Sequence, residues 1–155
     1  MKPDSFTQIY IHLVFAVKYR ECLLKKQHRI ALFRYTSGII ENKKCKSIIV
    51  NGFSDHIHIL LGLNPTIAIS DLVRDIKRST SLFINHEKKW FVGSFAWQEG
   101  YGAFSYSYSQ IDNIYNYILN QEDHHSKNSF RDEYRNILYK NKIGYNEDYL
   151  FKFHD

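Results

Sequence analysis

Three features of this 155-residue sequence predict an α+β fold built on an antiparallel sheet. Apolar, β-prone runs alternate with helical periodicities in the order β-α-β-β-α-β, an Asn51-Gly52 turn signal lies between the second and third runs, and two more helical periodicities follow the fourth. That order is the split βαβ, or ferredoxin-like, plan, with helices on one face of the sheet and C-terminal helices added to it. At 44% hydrophobic residues, the chain suits one domain spanning 1–155 with its own core.

The first strand is predicted over Thr7–Val17, where Ile9, Ile11, Leu13, Val14, Phe15 and Val17 make an apolar run that Lys18-Tyr19-Arg20 ends. A helix follows over Leu23–Asn42, with Leu24, Ala31, Leu32, Tyr35 and Ile39 at helical spacing. Cys45–Val50 and His56–Leu63 read as an antiparallel pair joined through Asn51-Gly52 and three further residues. Asn64-Pro65-Thr66 breaks the pattern, and Ser70-Asp71 opens a second helix running to about His86. A fourth strand is expected within the aromatic stretch Phe95–Tyr108, then helices over Gln110–Ser126 and Ser129–Lys140 and a short tail after Gly144.

Charge narrows the function classes only partly. Lys and Arg number 21 against 16 Asp and Glu, and the resulting +5 suits a polyanionic partner such as nucleic acid. The 12 Tyr, 11 Phe and 2 Trp suit a core, a subunit interface or a stacking platform for unpaired bases. Cys22 and Cys45 have no CxxC spacing, so neither a disulfide framework nor a cysteine zinc site is indicated. The N-terminal stretch lacks a signal-peptide core and no window approaches the roughly 18 apolar residues of a membrane span, so an unprocessed cytoplasmic protein is expected.

Two local patterns carry chemistry. In the third strand His56 and His58 share one face, because side chains alternate along a strand. Neighbouring imidazoles can ligate one metal ion, although a lone HxH also describes two polar residues on a solvated strand face. On the helix after the fourth strand, Ile111, Ile114, Tyr115 and Ile118 form the packing stripe, so Tyr115 reads as core and Tyr117 lies off it. Tyr117 and Gln121 are four residues apart and can point into one site, one turn above the other. By itself a tyrosine flanking an apolar stripe is equally a structural residue.

Together the patterns resemble a known family. DHIHILLGL (Asp55–Leu63), FAWQEGYGAFSYS (Phe95–Ser107) and YILNQEDHH (Tyr117–His125) are similar to the HUH transposases with a single catalytic tyrosine, insertion-sequence enzymes that act on single-stranded DNA. IHLVFAVKYR (Ile11–Arg20) and IGYNEDYLF (Ile143–Phe151) extend the resemblance over nearly the whole chain. It implies a transposase that nicks and joins DNA through a covalent 5′-phosphotyrosine on Tyr117. His56, His58 and Gln121 would hold a divalent ion, Mg2+ or Mn2+, while the residues alone equally permit zinc, nickel or cobalt. The resemblance also implies hairpin recognition at the element's ends and a homodimer in which one subunit's tyrosine helix can complete the other's histidine site.

A tyrosine nucleophile keeps the phosphate ester for later rejoining, so no nucleotide cofactor is needed, and no ATP motif is present. DNA contacts are expected from Lys18 and Arg20 and from Arg74, Lys77 and Arg78 on the second helix, a set that would equally suit a solvated helix face. His124 and His125 are expected to face solvent or DNA. The competing reading is a domesticated, non-catalytic ferredoxin-like nucleic-acid-binding protein.

Overall fold

The computed structural model describes residues 4–154; the ends of the expected 1–155 domain, and the first three residues of the stretch read for a leader, lie outside the described residues. Four strands, β1 (Tyr10–Ala16), β2 (Lys46–Gly52), β3 (His56–Gly62) and β4 (Gly102–Tyr106), form an antiparallel sheet in the order β2-β3-β1-β4. Helices α1 (Lys26–Asn42) and α2 (Ile69–Leu82) separate them as the split βαβ order requires. After β4 come α3 (Ile111–Leu119), α4 (Gln121–His125) and α5 (Phe130–Lys140). Among the described residues no helix is long and apolar enough to cross a membrane.

Both faces of the sheet are covered. Phe15 on β1 meets the Lys77 ammonium of α2 and the Trp97 ring, and the Trp97 indole donates to Thr80 of α2 at 2.8 Å. Strand alternation puts Phe15 opposite His12, Val14 and Ala16, whose register partners on β3 are Leu60, His58 and His56. The histidine face is covered by the C-terminal helices. Sheet burial on both sides explains why every residue from His56 to Leu61 is buried, histidines included.

Several boundaries differ from the sequence pattern. The fourth strand is shorter than Phe95–Tyr108: Trp97 makes an isolated bridge to Val17, and regular pairing resumes only at Gly102. Gly100, at φ 84, turns the chain out of the ladder between them. Asn51 and Gly52 continue β2 instead of forming the turn, which falls on residues 53–55; a Cβ on Gly52 would lie 2.3 Å from the His56 carbonyl oxygen. The first helix begins at Lys26 because Lys25 is extended, with Cys22 and Leu24 packing as a buried lead-in. The tail is not free chain: Phe151 and Phe153 pack on Phe130 of α5.

The expected helix over Gln110–Ser126 is broken at Asn120, between Tyr117 and Gln121. The Asn51 side chain on β2 donates to the carbonyls of Ile118 (2.9 Å) and Leu119 (3.1 Å), satisfying acceptors that a helix end leaves open. α5 is capped by Ser129, whose hydroxyl accepts from the Asp132 amide. Gly102 lets this helix approach the sheet, since a Cβ there would lie 2.7 Å from the Tyr134 hydroxyl.

Candidate active site and metal centre

His56 and His58 project from β3 toward α3–α5, both at 0% exposure. The solvated-face alternative for the HxH is thereby removed. Tyr117, near the end of α3, stacks edge-on against His58, with ring centroids 5.8 Å apart. Gln121, the first residue of α4, brings its Oε1 to 3.0 Å from His56 Nε2. The four residues singled out in the sequence therefore converge within one chain, despite the helix break.

At the middle of the cluster lies Glu133 of α5, which the sequence reading did not single out. Its Oε1 is 3.1 Å from His56 Nε2 and 3.2 Å from His58 Nε2. Its Oε2 accepts from the Tyr117 phenol and, at 2.8 Å, from the Gln121 amide. His125 was expected to face solvent or DNA. Instead its side chain is buried, with Nε2 2.9 Å from Glu133 Oε1 and 3.1 Å from Gln121 Oε1. His124 stays partly exposed, its Nε2 3.6 Å from Glu133 Oε2 and its ring edge-on to Tyr117.

Outer partners orient the rings. His56 Nδ1 lies 2.7 Å from Asp55 Oδ1, and His58 Nδ1 lies 2.8 Å from Nε2 of buried His12. A histidine that engages a partner through Nδ1 presents Nε2 to the site, the usual arrangement behind a metal ligand. Burial works against charge on the His56 ring, but Asp55 and Glu133 outweigh it and raise its pKa to about 9. Burial lowers His58 and, more strongly, His12. Burial opposes ionisation of Glu133 too, yet the surrounding histidines hold it far below the ordinary carboxylate range. For Tyr117, burial and the adjacent Glu133 charge both push the phenol above its usual range, so the resting site keeps it protonated.

The donors fit a divalent cation. His56, His125 and Glu133 each offer a ligand atom, all within 4.8 Å of one another, and His58 Nε2 and Gln121 Oε1 border the same space. Imidazole, amide oxygen and carboxylate are ordinary ligands of first-row divalent ions.

The family described as IS200-like transposases matches residues 5–121, three quarters of the sequence and all four residues recognised in it. The chain belongs to the IS200-like transposase family. Its activity is DNA transposition, with the DNA binding and recombination that this entails, and its family is that of insertion-sequence enzymes. The ISDra2 transposase TnpA of Deinococcus radiodurans is 29% identical over 122 residues, covering 75% of this chain and 86% of that protein. A crystal structure from the same species, described as a candidate transposase, aligns with TM-score 0.58 and 24% identity over 78% of this chain and 96% of that one. A REP-associated tyrosine transposase bound to a REP hairpin gives TM-score 0.58 at 12% identity, covering 81% and 74%. These two share the fold of this transposase.

The basic residues expected to contact DNA are dispersed. Lys18 and Arg20 are exposed beyond the end of β1. Arg74, Lys77 and Arg78 lie on α2, across the sheet from the histidines. Arg74 pairs with Asp71 and Asp75, and the Lys77 ammonium donates to the carbonyls of Gln98 (2.8 Å) and Gly100 (2.7 Å). Arg78 is exposed. Tyr115, read as core, is 37% exposed, whereas Tyr117 is more deeply set. The helical wheel identified α3's sheet-facing side but not the second wall that α5 builds over Tyr117.

Proposed function

We propose that this transposase nicks and rejoins single-stranded DNA through a covalent 5′-phosphotyrosine on Tyr117, at a divalent metal held by His56, His58 and Gln121. The supporting observation is that the Tyr117 hydroxyl and both imidazoles converge on one buried carboxylate, so nucleophile and ligands share one centre. The Tyr117 oxygen forms the new bond to phosphorus as the bond to the 3′-oxygen breaks, and the phosphodiester energy is kept in the protein–DNA ester. The phenol gives up its proton and the 3′-oxygen gains one, so the step consumes no net acid. Held there, Mg2+ or Mn2+ would supply Lewis-acid polarisation of the scissile phosphate.

A cavity of about 330 Å³ beside Tyr117, lined by Tyr106, Gln110, Asn113, Ile114, Ile137 and Lys140, would give the strand next to the scissile phosphate a ring-bearing wall of mixed polar and apolar side chains. Lys18, Arg20, Arg74 and Arg78 would supply longer-range phosphate contacts, and recognition of DNA hairpins and a homodimeric assembly complete the reading. Incubation with a labelled, hairpin-bearing single strand and Mn2+ is expected to give a covalent adduct that Tyr117→Phe abolishes. Hairpin binding with no adduct in the unaltered protein would favour a non-catalytic binding protein; an adduct that survives Tyr117→Phe would remove Tyr117 as nucleophile.

A further inference from the structure

We infer that His125 and Glu133 are themselves metal ligands, closing a centre of three imidazoles, one amide oxygen and one carboxylate in the resting protein. The inference rests on the metal reading above but concerns residues beyond position 121, where the family match ends.

The first argument is the direction in which each ligand atom faces. His125 Nδ1 lies 2.9 Å from the Asn128 carbonyl oxygen, which can only accept, so that nitrogen donates outward and Nε2 is the ring atom turned toward the centre. His56 does the same through Asp55. Gln121 donates its amide hydrogen to Glu133 Oε2, leaving its Oε1 as an acceptor. Two imidazole nitrogens, an amide oxygen and a carboxylate oxygen therefore face one another in one buried space. Such a set of ligand atoms suits a divalent cation at its centre.

The second argument is spacing. Glu133 Oε1 is 3.1, 3.2 and 2.9 Å from the Nε2 atoms of His56, His58 and His125, and Gln121 Oε1 is 3.0 and 3.1 Å from those of His56 and His125. Ligand atoms about 3 Å apart are compatible with metal bonds of about 2.1 Å from neighbouring donors to one ion. The pattern of neighbours fits as well. Glu133 Oε1 borders all three imidazoles, and Gln121 Oε1 lies beside those of His56 and His125. Five protein atoms would then hold the ion.

The rings are held for this role from outside: Asp55 behind His56, His12 behind His58 and the Asn128 carbonyl behind His125. A three-imidazole set also favours first-row transition ions over Mg2+.

The test uses the full chain without DNA. X-ray absorption of the Co2+-loaded protein counts imidazoles from ring scattering and needs no substitution: three are expected. Mn2+ titration followed by electron paramagnetic resonance should show His125→Gln and Glu133→Gln each weakening binding by about 10- to 100-fold, the range that loss of even an outer partner produces. Two imidazoles, or wild-type Mn2+ affinity in His125→Gln while His58→Gln loses it, would overturn this inference and leave the metal reading standing. Failure of the unaltered protein to bind Mn2+ or Co2+ would overturn both.

Discussion

Replacing Asn51 tests whether the sheet fixes the tyrosine helix. Its amide donates to the carbonyls of Ile118 and Leu119, immediately after Tyr117 and immediately before the break at Asn120. Asn51→Ala removes both bonds. At about 0.5–1.5 kcal/mol net for each, the expected loss is about 1–2 kcal/mol, since the second bond is partly solvated. In a protein of this size that lowers Tm by roughly 2–8 °C. Asn51→Asp is the sharper variant, because it keeps the shape but sets an acceptor and a negative charge against two carbonyls at a helix C-terminus. It should cost a further 0.3–1 kcal/mol, approximately, beyond alanine. Urea and thermal unfolding give the order Asn, Ala, Asp, and adduct formation should fall in the same order as Tyr117 loosens. Wild-type stability in Asn51→Asp would refute the donor role and the tethering argument with it.

Three other outcomes follow from the packing and charges. Gly102→Ala should destabilise by about 1–3 kcal/mol, because the new methyl meets the Tyr134 hydroxyl and the Phe104 ring, and adding Tyr134→Phe should restore part of that loss in denaturant titration. Metal-free protein should be most stable near pH 6.5. Above that, His56 is protonated only when folded, so its contribution, about 3 kcal/mol at 1.4 kcal/mol per pKa unit, is lost as pH rises to about 9; below it, buried neutral His58 and His12 bind protons only on unfolding, so stability falls again. Unfolding free energies at pH 5, 6.5 and 9 check this, and His56→Gln should flatten the alkaline side. Lys77→Met should destabilise by roughly 1.5–3 kcal/mol by releasing two carbonyls, while leaving the salt dependence of DNA binding unchanged; a slope reduced by about 1 would instead make Lys77 a phosphate contact.

Sequence periodicity carries the sheet order and the position of His56, His58, Tyr117 and Gln121 because each of these depends on a local repeat, period two in β3 and 3.6 in α3. The rest of the cluster comes from tertiary contact. His125 lies four residues after Gln121, but which way it faces depends on α5, which no local repeat can reveal. Glu133 left a readable trace: Phe130, Tyr134, Ile137 and Leu138 define the buried face of α5, and Glu133 falls among them. A carboxylate on an apolar stripe is a signal for a buried polar partner. His12 left the same trace, as the one polar side chain within the run from Tyr10 to Ala16. The break at Asn120 has no proline or glycine to announce it, and the carbonyls it frees are answered from β2, about 70 residues earlier.

The complete burial of His56 and His58 has a kinetic side. No imidazole edge meets water directly, and Tyr117, His125 and Glu133 together form the cover. An ion seated behind that cover leaves only as fast as α3–α5 open, a first-order event independent of what waits outside. Release to a chelator should therefore reach a plateau as chelator concentration rises, and the plateau rate would be the opening rate of the helical cover itself.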